Sequence, residues 1–282
     1  MPRHRRKGES MMKEISITMY DQNIWGNMAK DQRIANRNGL IKELIWEHEP
    51  DVCCFQECNP NTSRMGDTAI EKLIAERYTE VPTSAGVLDY TPVFYRTDRF
   101  DVVDSGYHCY AGKNDHNSKS ITWAILSEKA SGVRFGICST HFWWKSDTDE
   151  DNQQRLQNAD VLYDCMMGLR DKYDVPVFAT GDLNCGAAAS QGNAPYLSLA
   201  ERLLDARRVA TVTNDKFTHH AYPVMDENGI YRNGGVPKRT LDHMFLTEHR
   251  NVRVDSFDVD HSQKALDTSD HCPLIVKATI FG

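Results

Sequence analysis

Residues 51–57 read DVCCFQE, an unbroken apolar run closed by a carboxylate. A short run of that kind predicts a strand buried on both faces, with Glu57 standing at its exit. Just upstream, Ile34, Leu40, Ile41, Leu44 and Ile45 recur at helical spacing over 31–48, and Pro50 ends that helix. Further upstream, Ile15, Ile17 and Met19 alternate with Ser and Thr. That alternation predicts a strand, followed by a loop at Asp21, Asn23 and Gly26.

The same periods continue downstream. Helices are predicted over 67–78, 150–170 and 195–204. The second of these places Leu156, Ala159, Leu162, Tyr163 and Met166 on one face. Strands are predicted over 93–95, 100–103, 121–126, 133–139, 175–179, 240–247, 252–259 and 273–280. The longest irregular stretch is 212–239, which carries Asn228-Gly229, Asn233-Gly234-Gly235 and Pro237. No internal repeat or Gly/Ser-rich linker divides the chain. One layered domain over residues 13–282 is expected, with residues 1–12 as a disordered basic arm.

Composition narrows the class. Of 282 residues, 40% are hydrophobic and 26% charged, which fits a globular protein and not a disordered chain. No segment approaches the 18 consecutive apolar residues of a membrane-spanning helix. The run Arg3 to Lys7 precedes no apolar core, so no secretory signal is read and a cytoplasmic location is expected. The 8 cysteines form no CxxC pair and no zinc-finger spacing, which predicts free thiols in a reducing compartment. Lys and Arg number 33 against 40 Asp and Glu, a net charge of −7. That balance weighs against a general grip on nucleic acid. It leaves room for a carboxylate cluster around a cation.

Such a cluster is visible where apolar strands stop. Asn23, Glu57, His141, Asp182 with Asn184, and Asp270 with His271 all stand at strand ends, where catalytic groups are commonly mounted. Asp242 lies inside the apolar run 241–246, where an isolated carboxylate is costly without a partner or a metal. The residue types suit phosphoester chemistry. Glu57 and Asp270 offer oxygen ligands to a hard cation such as Mg²⁺. Asp242 and His271 are suited to pair, with the carboxylate fixing the imidazole tautomer. Asn23 and Asn184 can orient phosphate oxygens without adding negative charge.

These segments, in this order, resemble the endonuclease/exonuclease/phosphatase superfamily. The likeness covers roughly residues 13–280 and rests on Asn23 in YDQNIWG, Phe55-Gln56-Glu57, Ser139-Thr140-His141-Phe142, Thr180-Gly181-Asp182-Leu183-Asn184, Leu241-Asp242-His243-Met244-Phe245 and Thr268-Ser269-Asp270-His271-Cys272-Pro273. The resemblance implies a four-layer α/β/β/α sandwich with two facing mixed sheets and the site at one end. It implies a Mg²⁺-dependent phosphoesterase, with Mn²⁺ as a substitute, acting as a monomer on a phosphodiester or phosphomonoester. Glu57 then matches the principal metal ligand, with Asp270 near the metal and Asn23 touching it directly or through one intermediary. Asp182 and Asn184 match the pair that handles water and phosphate. His271 matches the histidine at the scissile phosphate, Asp242 its orienting carboxylate, and His141 a second histidine on phosphate or leaving group. Either Asp182 or His271 serves as the base.

Looser likenesses lie in Lys119-Ser120-Ile121-Thr122-Trp123-Ala124, in Arg155 with Asn158-Ala159, and in the loop 217–222, where His220 takes the place of a family histidine. Trp143 and Trp144 follow His141 and are suited either to stack on a base or sugar or to pack under the loop. Two other functions fit parts of the pattern. One is a protein that binds a phosphorylated ligand without turnover. The other is a glycoside hydrolase using Glu57 and Asp182, which a chelator would leave active. The sequence singles out no one substrate among nucleic acids, sugar or inositol phosphates and lipid headgroups.

Overall fold

The computed structural model describes residues 13–26, 34–84, 86–113, 118–146, 148–187, 192–220, 224–225, 227–228, 231–232 and 238–282. The predicted arm at 1–12, helix residues 31–33, and Gly229, Gly234, Gly235 and Pro237 lie outside them.

Two strand–helix–strand units frame the structure. In the first, β1 (Glu14–Asn23) is joined through α1 (Ile34–His48) to β2 (Val52–Gln56), and the two strands pair in parallel. The chain continues through α2 (Ile70–Ile74), β3 (Tyr78–Glu80), β4 (Val93–Arg96), β5 (Phe100–Cys109) and β6 (Ser120–Glu128). In the second unit, β7 (Arg134–His141) is joined through α3 (Asp149–Tyr173) to β8 (Val177–Asp182), again in parallel. There follow α4 (Ala194–Ala200), β9 (Leu204–Asp205), α5 (Ala206–Val209), β10 (Val212–Thr213), β11 (Val224–Met225), β12 (Tyr231–Arg232), β13 (Asp242–Leu246), β14 (Val252–Val259), α6 (Gln263–Thr268) and β15 (Leu274–Phe281). One sheet has the order β10-β14-β15-β1-β2-β4-β3 and the other β5-β6-β7-β8-β13-β9; β11 and β12 form a separate pair.

The sequence alternation decides what each face meets. Ile15, Ile17, Met19, Val52 and Cys54 of the first sheet pack on Leu126, Phe135, Ile137, Phe178 and Met244 of the second, forming the core between the sheets. The opposite face of the first sheet, with Tyr20, Cys53, Phe55 and Phe94, packs on Ile41, Leu44 and Ile45 of α1 and Ala265 of α6. The outer face of the second sheet, with Ile121, Cys138, Val177 and Phe245, packs on Ala159, Leu162 and Met166 of α3 and Leu199 of α4. The result is the expected α/β/β/α sandwich. β2 is buried at all of its residues, as a strand covered on both faces must be.

Several elements differ from the sequence reading, among them the helix read over 195–204, which ends at Ala200, and the stretch 212–239, which carries β10, β11 and β12. The first strand does not stop before Asp21 but pairs with β2 as far as Asn23 opposite Gln56. Its polar end is held by side chains: Gln56 donates to Asp21 at 2.8 Å, and Gln22 donates to Thr268 Oγ1 at 2.9 Å and to the His271 carbonyl at 3.1 Å. The helix read at 67–78 is one short helix, α2, after a single tight turn at Gly66–Thr68, because Tyr78 already pairs in β3. β5 extends to Cys109, well past Val103, because it keeps pairing with β6 as far as Cys109 opposite Ser120, with residues 104–107 all partly buried.

The two parallel pairs end level with each other. Asn23 lies opposite Gln56, and His141 lies opposite Asp182. Asp242 opens β13 directly across from Asp182. Topology therefore delivers the polar strand ends to one edge of the sandwich, the carboxyl ends of its parallel strands, where open α/β sheets bind their ligands.

Candidate active site

Strained turns aim the side chains at this edge. Glu57 and Asn184 leave their strands with φ of 54° and 49°, and Trp25 with 51°. Such values are uncommon outside glycine. Gly181 has φ of 147°, and a Cβ there would sit 1.9 Å from the Thr140 carbonyl oxygen, so only glycine lets β8 lie this close to β7.

Buried arginines lock two of the loops. Arg37 on α1 donates to the carbonyls of Ile24 (2.9 Å), Trp25 (3.2 Å) and Thr268 (3.1 Å). Arg155 on α3 donates to the carbonyls of Trp143 (3.3 Å), Lys145 (2.6 Å) and Ser146 (2.8 Å). Each crossover helix thus ties down the loop that follows the strand before it.

The centre is a linked set of acids, amides and imidazoles. Asn23 Oδ1 accepts the Trp25 N–H at 2.9 Å, which fixes the amide's orientation. Its Nδ2 donates to Asp182 at 3.0 Å and reaches Glu57 Oε1 at 3.3 Å. Asn23 therefore orients two carboxylates with its nitrogen. Asp182 also accepts the Asn184 backbone N–H at 2.8 Å and has His141 Nε2 at 3.4 Å and His271 Nε2 at 3.7 Å. Asn184 Nδ2 donates to the Phe142 carbonyl at 3.1 Å. The predicted pair forms: His271 Nδ1 lies 2.8 Å from Asp242 Oδ2 and 3.0 Å from Oδ1. Asp242 is itself held by its backbone N–H, which donates to Thr218 Oγ1 at 3.0 Å. Asp270 follows Ser269, whose hydroxyl donates to the Asn23 carbonyl at 2.7 Å. All eight predicted site residues thus lie at this edge.

Two further residues join them without having been singled out for the site. Lys119, 2% exposed, places Nζ 3.0 and 2.9 Å from the two ring nitrogens of His141. A lysine at a strand entrance ordinarily reads as surface, and no spacing in the sequence marks its approach to His141. His219 places Nε2 3.7 Å from Asp270, and its ring stands edge-on to that of His271, centroids 4.7 Å apart. Its neighbour His220, the residue aligned with the family loop, is fully buried. The signal for His219 was present as the doublet of histidines in 217–222, but register within that loop is set by the backbone bridges of His219 to Arg239 and His271.

Charge is unevenly settled here. Burial, and then the negative charge of Asp242, push the Asp21 carboxyl well up. Burial opposes charge on Asp182 and Asp270 as well, but the neighbouring imidazoles outweigh it and hold both below the usual carboxylate range. Burial likewise opposes charge on His271, but Asp242, Asp182 and Asp270 outweigh it and raise its pKa well above the ordinary value. His141 moves the other way: burial and then the Lys119 charge lower it, so it is neutral. Four carboxylates, Asp182, Asp242, Asp270 and Glu57, gather here beside Lys119 and His271. That excess of carboxylates is one a divalent cation fits, and carboxylate oxygens are the ligands Mg²⁺ and Mn²⁺ prefer. The donor atoms of Asp182, Asp242 and His271, and those of His219, Asp270 and His271, form two groups in which all lie within 4.8 Å of one another.

The sequence matches no family model and no curated protein. The fold does have solved counterparts. An endonuclease/exonuclease/phosphatase from Bacteroides vulgatus superposes with a TM-score of 0.71 at 22% identity, over 94% of this chain and 99% of that one. The chain has the endonuclease/exonuclease/phosphatase fold. A mannosyl-6-phosphatase of the same fold from Bacteroides thetaiotaomicron gives 0.70 at 18% identity, over 93% of this chain and 99% of that one. D. rerio TDP2, in complex with a single-strand DNA product, gives 0.65 at 16% identity, over 93% and 98%. The fold therefore serves a sugar phosphate in one structure and DNA in another, and does not by itself select between them. No helix among the described residues is long and apolar enough to cross a membrane.

Proposed function

We propose that the protein is a metal-dependent phosphoesterase of the endonuclease/exonuclease/phosphatase family, with residues 13–282 as one catalytic domain. The observation that carries this reading is the chain Asp242–His271–Asp182–Asn23–Glu57, linked at the distances given above and placed at the carboxyl ends of two parallel strand pairs. Glu57 and Asp270 would hold Mg²⁺ or Mn²⁺. Bound there, the cation would neutralise charge gathering on the phosphoryl and leaving oxygens. Asn23 keeps Glu57 and Asp182 in place.

His271, charged and held by Asp242, donates a hydrogen bond to a phosphoryl oxygen. Asp182, anionic and aimed by the Asn184 N–H, accepts the proton of the attacking water. Asn184 and the neutral His141 position the phosphate, and Lys119 supplies a nearby positive charge. This arrangement serves a diester or a monoester.

The test is a phosphoester panel assayed with and without chelator, comparing wild type with Glu57→Gln and Asp182→Asn. Metal-dependent hydrolysis that falls at least about a hundredfold in both variants is expected. Full phosphoester hydrolysis in chelator would sink the metal-dependent reading.

A further inference from the structure

The loop after β7 is built with unusual restraint. Asp151 and Arg155, four residues apart on α3 and so on one face of it, grip the loop from within. Asp151 accepts from Trp143 Nε1 at 2.7 Å, Ser146 Oγ at 2.7 Å and Thr148 Oγ1 at 2.8 Å. Arg155 takes the carbonyls of Trp143, Lys145 and Ser146. The first tryptophan is accordingly buried, at 3% exposure, whereas Trp144 remains 55% exposed. Lys145 holds its ammonium 5.3 Å from the Trp143 ring centroid and 5.9 Å from that of Trp144. The loop starts at His141 and is joined to Asn184 through the Phe142 carbonyl, so the exposed indole stands only three residues from the candidate active site.

Leaving a large aromatic ring half in water on a fixed loop has a cost in hydration. The same arrangement is an advantage for a ligand, because the loop's ordering entropy is already lost before binding. A flat ring beside an ammonium complements a molecule with an aromatic face next to a negative charge. A bare sugar phosphate offers the charge and lacks the ring.

We propose that Trp144 and Lys145 form a base-binding subsite beside the phosphate centre, and that the substrate is a phosphoester carrying a nucleobase. This rests on the phosphoesterase reading only for where the phosphate sits. Trp143 is the positioning residue beneath it, and Arg155 and Asp151 set the loop.

Adenosine 5′-monophosphate and ribose 5-phosphate differ only in the base. Their affinities are to be measured by titration calorimetry with Mg²⁺ present, on wild type, Trp144→Ala and Trp144→Phe, and the same samples assayed for released phosphate. The nucleotide is expected to bind wild type at least about tenfold more tightly, the range of one base–aromatic stack. That advantage should vanish in Trp144→Ala and return in Trp144→Phe. Equal affinities of wild type for the two compounds overturn the subsite, as does an advantage that survives Trp144→Ala. Base-dependent binding without hydrolysis of any phosphomonoester or phosphodiester in the panel supports the subsite and refutes the hydrolase. Metal-dependent release from both compounds, indifferent to Trp144→Ala, refutes the subsite and leaves the hydrolase standing.

Discussion

Asp242 and His271 meet through Nδ1 at 2.8 Å, although one opens β13 and the other lies in the loop before β15. Asp242 sits 1% and His271 5% exposed, so the pair is shielded from solvent screening and the carboxylate acts on the imidazole at nearly full strength.

Replacing Asp242 by Asn should therefore lower the His271 pKa. A charged His271 is needed in the proposed mechanism, so wild-type activity should fall as pH rises through its elevated pKa. In Asp242→Asn that alkaline limb should move to lower pH, with kcat reduced about a hundredfold or more. A pH–rate profile settles it. An alkaline limb that stays in place would show that His271 is not the titrating group.

Lys119 lies against both ring nitrogens of His141 and, after burial, is the main reason that imidazole stays neutral. In Lys119→Met the positive charge is gone, and His141 should titrate at a higher pH than in wild type. NMR of the histidine ring nitrogens reads this without reference to turnover. An unchanged or lower titration point would contradict the assigned role.

Asp89 gives a pH dependence that belongs to stability. Its buried carboxyl accepts from Thr91 N–H and Thr122 Oγ1, yet burial still pushes its pKa up to about 6 from 3.8. Between about pH 4 and 6 the folded protein keeps a proton that the unfolded chain has lost, so stability falls as pH rises through this window. The full effect is about 3 kcal/mol, present above pH 6 and absent below pH 4. Asp89→Asn should remove the decline. Urea unfolding at pH 4 and pH 7 compares the two proteins, and equal pH slopes would refute the assignment.

Arg155 is 1% exposed and donates to three carbonyls and to Asn152. Arg155→Leu leaves those acceptors buried without a partner, and a destabilisation of about 2–5 kcal/mol is expected. Chemical denaturation measures it. A loss under 1 kcal/mol would mean that water replaces the guanidinium and the loop is not held as described.

Most of the site was readable because its residues interrupt apolar runs. Glu57 after VCCF, Asp182 after an apolar strand and Asp242 inside LDHMF violate the local pattern, and a buried carboxylate must be explained wherever it sits. A layered domain was readable for a related reason: alternation in β1 and the continuous run in β2 state how many faces of each strand are covered, whereas the four-layer sandwich was implied by the family resemblance. The polar end of β1 was not readable as strand, since Asp21 and Gln22 are stabilised by Gln56, Thr268 and the His271 carbonyl, contacts that no local window contains.

The sequence alone determined the layered architecture and the chemical identities at the strand ends, because periodicity and burial are local properties of the chain. Only the tertiary structure decided how those groups act on each other. It turned the Asn23 nitrogen toward two carboxylates, brought Lys119 to His141, set His219 beside Asp270, and buried Trp143 while leaving Trp144 in water. Each of these is a distance between residues far apart in the chain or an orientation set by neighbours, and pKa and exposure follow from such distances alone.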